Sequence, residues 1–373
     1  MRYSLLSRFE GTLAGVSLAS QLTRCEDRSM CKSVSSPPER HQKSEILVNL
    51  KKHRWWRSSS ERQEEKFAAT DEQSLVAQMT RSLIRCQGLN RVDWDRSAQE
   101  WQDQKQQRIK ASRTQTVNPG RLAAGFSGEI YPLSAGEVAL AMLPIALYFH
   151  EQPEELQQQL TEAIKVWQHS APAVVLEEAV QTFSLAIALA LKEDLDPESL
   201  IPHLLDRLNH RPSDWCKQLQ QVQRLAQQKA SLETAREELL KNASQADHGV
   251  EETSAIAVAF YSFVRTPHDP AIAILRTVEL SGASPRATAL TGALSGAYNS
   301  LSSFPVSWQM QVKTTASSGS GITTEAAGTT GELLQQANEL FAVWSGVYNT
   351  ANRLFQNLHP TLAVSAANGM NQP

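Results

Sequence analysis

Residues 270–308 read PAIAILRTVELSGASPRATALTGALSGAYNSLSSFPVSW. Ile272, Leu275 and Val278 recur at helical spacing, so the stretch opens as a helix. Ser281-Gly282-Ala283-Ser284-Pro285 then breaks it. Ser284 suits an N-cap, and Pro285 suits the first helical position, where a missing N–H costs nothing. The second helix carries Thr288, Gly292, Gly296 and Ser300 at i, i+4 spacing. Glycine inside a helix costs about 1 kcal/mol relative to alanine. A row of small residues therefore needs a packing reason, and the close approach of another backbone is the simplest one.

The partner row lies at the other end of the chain. Residues 4–22 read SLLSRFEGTLAGVSLASQL, with Gly11, Gly15 and Ala19 at the same spacing. Leu5, Leu6, Phe9, Leu13, Val16 and Leu18 supply apolar surface beside them. Arg2 and Arg8 before an apolar run imitate a weak signal peptide, but Arg8 and Glu10 interrupt the run. A core helix that stays on the protein is the expectation. Helices 4–22 and 286–300 are expected to pack on each other, with helix 70–86 meeting them.

Helix 70–86 (TDEQSLVAQMTRSLIRC) turns Leu75, Val76, Met79, Leu83 and Ile84 to one face. Thr70 and Gln73 have the spacing of a capping box, and Asp71 and Glu72 suit the positive end of the helix dipole. Residues 134–149 are strongly apolar with Pro144 inside, and 173–191 are nearly all apolar and so central. Trp94 and Trp101, seven apart within 87–121, predict a short packed helix followed by a loop to Gly120. Leu225, Leu232 and Leu239 recur every seven residues in 193–247, a helical elaboration read as a hairpin or a helix lying on the body. Segments 23–66 and 311–331 read as flexible polar loops, and Glu332–Phe355 as the last amphipathic helix. No long β-run appears. The expected fold class is all-α, in a single domain over 1–373.

Composition limits the function classes. The chain has 373 residues and a formal net charge of −3, which gives no electrostatic case for nucleic acid or an anionic membrane. No window reaches the ~18 uninterrupted apolar residues of a membrane span. The four cysteines, Cys25, Cys31, Cys86 and Cys216, form no Cys-x-x-Cys pair, and the nine histidines form no metal-ligand pair. Reduced thiols in the cytoplasm are the expectation. The basic-aromatic cluster His53-Arg54-Trp55-Trp56-Arg57 reads as local packing. His169 reads as a partly buried, satisfied histidine.

The stretch 271–308 resembles the C-terminal signature of the ADP-ribosylglycohydrolase family. That family has an apolar helix, then Gly-Asp-Thr-Asp-Thr, then a small-residue helix ending near Pro-x-x-Trp. The frame is present in Leu280, Gly282, Thr291 to Leu294, Gly296 to Tyr298, Pro305 and Trp308. Residues 4–22 resemble the family's first helix, with Ser20 or Gln21 at its acidic position. Thr70-Asp71-Glu72-Gln73 stands where the family carries Thr-Asp-Asp-Thr, which helps hold a pair of magnesium ions. The resemblance covers most of the chain outside 23–66, 87–121, 193–247 and 311–331. It implies an all-α scaffold and an ancestral site at Thr70, Asp71, Glu72, Ala283, Ser284, Pro285 and Arg286.

The family's chemistry is not carried by these residues. Its second Asp-Thr-Asp-Thr falls on Ala283, Ser284, Pro285 and Arg286. Glu137, Leu140 and Ala141 stand where a segment bordering the ADP-ribose site has glycine, Met and Arg. Magnesium wants near-octahedral oxygen ligation, which alanine and proline side chains do not supply. The expectation is a non-catalytic family member with no metal and no catalytic residue, acting on an unknown protein or an ADP-ribose-like ligand. The alternative is an active magnesium-dependent hydrolase drawing acids from elsewhere, such as Asp27, Glu251 or Glu252. Arg286 is expected to replace the metal charge by pairing with Asp71 or Glu72.

Overall fold

The computed structural model describes residues 3–30, 70–116, 133–167, 173–208, 213–245, 248–281, 284–310 and 330–346. In chain order the helices are α1 (Leu5–Met30), α2 (Asp71–Cys86), α3 (Arg91–Thr116), α4 (Ala135–Tyr148) and α5 (Pro153–Ile164). They continue as α6 (Ala173–Leu191), α7 (Leu200–Arg207), α8 (Asp214–Gln227), α9 (Leu232–Gln245) and α10 (His248–Arg265). The last are α11 (Pro270–Ser281), α12 (Pro285–Asn299) and α13 (Thr330–Trp344). No strand occurs among the described residues, and the fold is all-α.

α1 and α12 cross in backbone contact. A Cβ placed on Gly15 would stand 2.2 Å from the carbonyl oxygen of Gly292, and one on Gly296 would overlap the Gly11 carbonyl. A Cβ on Gly11 would in turn meet the backbone of Gly296, Ser300 and Leu301 within 2.7 Å. The two glycine rows therefore face each other, and the obstacle to any side chain is main chain that cannot rotate away. α13 packs along α1, and α2 packs between α13 and α4. A buried Arg8 ties this crossing to α6. Its guanidinium donates to the carbonyls of Ala190 at 2.5 Å and Ala297 at 3.4 Å, and pairs with Glu193 at 3.0 Å.

α4 and α6 form the apolar centre. Every residue of α4 from Ala135 to Leu147 is buried, Pro144 included. By length and composition, Val174–Leu191 is long and apolar enough to cross a bilayer, which differs from the expectation that no window approaches this. Glu177 and Glu178 interrupt its apolar run, and 67% of the segment is buried against its neighbours. Phe183 meets Phe260 of α10 at 5.9 Å between ring centroids, and Trp215 of α8 donates its indole N–H to Thr182 at 3.0 Å.

Several boundaries differ from the sequence reading. α1 runs on to Met30, so 23–30 is helix rather than loop. α3 is a long helix to Thr116, not a short one. Trp94 and Trp101 are both fully buried, as their spacing required. The heptad leucines fall on two helices, with a break at 228–231 between Leu225 of α8 and Leu232 of α9. Gln221 donates to the carbonyl of Glu238 across that hairpin at 2.9 Å. α13 starts at Thr330, inside the stretch read as loop. The rest of 23–66 and 311–331, His169, the 53–57 cluster and residues 347–355 lie outside the described residues.

Gly296→Ala separates two opposing effects. In a free helix it would stabilise by about 1 kcal/mol. Overpacking against a fixed backbone costs about 3 kcal/mol or more. The expected outcome in urea unfolding is a net loss of stability; a gain would contradict the contact between α1 and α12.

Candidate functional site

The N-terminal ends of α2, α4 and α12 converge. Gly136, in the first turn of α4, lies against Ala255 of α10 and Leu290 and Arg286 of α12; a Cβ there would sit 3.2 Å from that of Ala255. The residues proposed from sequence fall around this convergence, except Ala283, which lies outside the described residues.

The start of α2 is a capping box. The Thr70 hydroxyl accepts from the Gln73 N–H at 3.1 Å, and the Gln73 side-chain oxygen accepts from the Thr70 N–H at 3.0 Å. The Gln73 amide then donates to the Ser17 carbonyl at 3.0 Å and to its hydroxyl at 2.8 Å. The Ser17 hydroxyl shares a 2.5 Å hydrogen bond with Thr330, which also accepts from the Gln21 amide at 2.7 Å. A neutral hydrogen-bonded network thus joins α1, α2 and α13. Ser17, Gln21 and Thr330 were not legible as site residues, because no local pattern marks a contact across some 300 residues.

At α12, Ser284 takes the N-cap place and Pro285 the first helical position. The Ser284 side chain makes no capping hydrogen bond, contrary to expectation. Its main-chain N–H is instead met by the Ser281 hydroxyl at 3.2 Å. Pro285 is exposed, and Ser284 is half-buried.

The charged groups are arranged differently from the expected Arg286 pairing. Arg286 meets Glu137 at 3.5 Å, not Asp71 or Glu72. Asp71 pairs with Arg108 at 3.0 Å on the exposed rim. Glu137 is nearly fully buried and also binds the ammonium of Lys105. The same carboxylate accepts from the Ser134 N–H at 3.1 Å, closing a second capping box at the start of α4. Lys105 lies over the Trp101 ring, 5.1 Å from its centroid, so the buried tryptophan fixes where the ammonium stands. Among the charged residues here, Lys105 and Arg108 were not singled out from the sequence, and Glu137 was read only as a departure from the family pattern. Glu137 replaces a small residue of the family pattern, and Lys105 follows the buried Trp101 by one helical turn.

The two buried acids respond to their surroundings in opposite directions. Burial raises Glu72, reinforced by the Asp71 and Glu137 charges; its own backbone N–H and Arg286 only partly oppose this. Burial also acts to raise Glu137, but Arg286 and Lys105 outweigh it and hold the carboxyl below its usual range. Among the described residues, no three His, Cys, Asp or Glu side chains gather as a metal site would require. The acids nearest this place have cations as neighbours.

This is an all-helical protein whose small-residue helices cross beneath a cluster of carboxylates and cations. A family model described as ADP-ribosylglycohydrolase matches residues 1–349, and the chain belongs to that family. No curated protein matches the chain.

The signs of the two shifts predict opposite behaviour. Stability from Glu72 is full below its ordinary pKa of 4.5 and is lost as pH rises through its higher folded value. Stability from Glu137 is full above 4.5 and is lost as pH falls through its lower folded value. At pH 7, Glu72→Gln is expected to stabilise the chain, because it removes a buried charge that its surroundings disfavour. Glu137→Gln is expected to destabilise it by about 2 kcal/mol or more, since it leaves Lys105 and Arg286 without their shared partner. Chemical unfolding of both variants from pH 4 to 8 checks the pair; shifts of the same sign at pH 7 would contradict this electrostatic account.

Proposed function

We propose that this chain is a non-catalytic member of the ADP-ribosylglycohydrolase family that acts as a binding or interaction module. One observation carries the reading: Glu137, beside the family's metal position, is held by Lys105 and Arg286. On this reading the two cations take the place of the hard divalent ions that the family's reaction uses to polarise the ribose and activate water. The rest of the site agrees. The Thr70 hydroxyl is committed to a cap, Asp71 is paired with Arg108, and the Pro285 side chain offers no ligand atom. Ser284 retains a hydroxyl, but a lone hydroxyl beside Arg286 does not make an octahedral oxygen site. The side chains of the described residues therefore do not fit a pair of magnesium ions.

A guanidinium and an ammonium held over a buried carboxylate suit a ligand that is anionic or a partner that presents carboxylates. An ADP-ribose-like ligand or a protein partner is the occupant this reading assigns. The same electrostatics oppose entry of a free divalent cation.

The test is magnesium-dependent release of ADP-ribose from modified arginine and serine peptides by the full chain. Thermal shift with magnesium and ADP-ribose runs beside it. No release and no magnesium-dependent shift are expected. Robust magnesium-dependent hydrolysis by the unmodified protein would overturn the reading.

A further inference from the structure

A histidine outside the candidate site is buried where α1, α4 and α13 meet. His150 lies two residues past the end of α4 and is 2% exposed. Its Nδ1 stands 2.7 Å from the Leu147 carbonyl oxygen. A carbonyl only accepts, so Nδ1 carries the hydrogen and Nε2 is the nitrogen that takes up a proton. The ring is walled by aromatic side chains. Phe9 of α1 meets it edge-to-face at 5.7 Å between centroids, and Trp344 of α13 stands 5.0 Å away. Phe341 of α13 completes the cluster, 5.5 Å from Phe9 and 5.4 Å from Trp344.

This cluster helps hold the end of α13. Trp344 is the last residue of that helix, and Gly346 leaves it with a left-handed φ of 75°. Phe9 is fully buried, whereas Phe341 and Trp344 are half-buried. The opposite end of α13 is held differently, through Thr330 to Ser17 and Gln21 and through Glu332 to Arg81 at 2.9 Å. The charged groups around the imidazole supply no counter-ion. On α1, Arg8 turns to Glu193 and Glu10 to Asn338; on α13, Glu339 accepts from Gln335. Lys192, just past the end of α6, pairs with Asp194 at 3.7 Å, and Glu151 is exposed. Among the described residues, no carboxylate pairs with the ring. Burial holds the imidazole below its ordinary value of 6.5, and Lys192 adds to this; the Leu147 carbonyl and the Glu151 charge oppose it without prevailing. A protonated ring would gain a cation–π contact with Trp344, but it would give up water without gaining a carboxylate.

We propose that His150 is a pH-sensitive latch on the end of α13. Neutral, it lets Phe341 and Trp344 close over Phe9. Protonated, it turns toward water and releases the last turns of the helix. The latch is fully closed above pH 6.5, the ordinary value, and weakens as pH falls through the lower folded value. Release uncovers an aromatic surface on α1 and α13, while the bonds of Thr330 and Glu332, which do not involve His150, keep the start of α13 in place. The latch uses none of the charged groups that carry the proposed function.

Amide hydrogen exchange of the full chain, corrected for the intrinsic rate at each pH, is followed in α13 and α6 at about pH 7.5 and about pH 5. The wild type is compared with His150→Phe and His150→Asn. Phenylalanine keeps an aromatic ring, asparagine keeps an N–H donor for the Leu147 carbonyl, and neither titrates. In the wild type, protection of the last turns of α13 is expected to fall by about tenfold or more at the lower pH, while that of α6 is kept. Each variant is expected to show the same α13 protection at both pH values. Unchanged α13 protection in the wild type, or an equal fall in a variant that folds, overturns the proposal. So does a fall shared by α13 and α6, which reports general acid unfolding. If His150→Phe does not fold, His150→Asn and the wild-type profile still decide it.

Discussion

Two helices touch main chain to main chain only where neither carries a side chain at the crossing. Gly11 and Gly15 on α1 meet Gly292 and Gly296 on α12, and the rest of the architecture hangs on that contact. The crossing sets the level at which Ser17 of α1 meets the Gln73 amide of α2 and the Thr330 hydroxyl of α13. It also sets where α12 begins, and so where Arg286 stands relative to α4. Arg8 fixes the opposite end by satisfying carbonyls of both α6 and α12. The cost of glycine in a helix is local, whereas the gain is a long-range contact that no other residue permits.

The candidate site is governed by a different constraint, the cost of burying charge. A carboxylate in a dry setting needs a hydrogen-bonded counter-charge or else takes up a proton. Glu137 finds two cations and a main-chain N–H, and its carboxyl is held low. Glu72 finds its own backbone N–H and a more distant Arg286, and its carboxyl is pushed up. The cation that completes Glu137 comes from α3, within the segment 87–121, where no family motif was read from the sequence. Trp101, buried in the same helix, holds that cation in place. Helix α3 thus supplies both the packing and the charge that occupy the site.

The glycine rows, the capping box at Thr70 and Gln73, and the apolar centres of α4 and α6 were legible before any coordinates. Each is a periodic or short-range pattern, and local physics writes such patterns directly into sequence. The break between α8 and α9 was harder to read. Heptad leucines continue across it, and only the turn at 228–231 shows that they belong to two helices. The extension of α1 to Met30 and of α3 to Thr116 was missed because polar helical turns carry no apolar stripe.

By itself the sequence determined an all-α fold, the pairing of its two small-residue helices and the family to which the chain resembles. Those follow from spacing along one element, or from a contact that only glycine allows. The tertiary structure alone decided which charges meet. Arg286 was expected to pair with Asp71 or Glu72, yet it meets Glu137, while Asp71 goes to Arg108 and Lys105 arrives from α3. Ion pairing over such separations depends on where helix ends converge in space, and burial then fixes which pairings are affordable. No interval along the chain encodes either quantity.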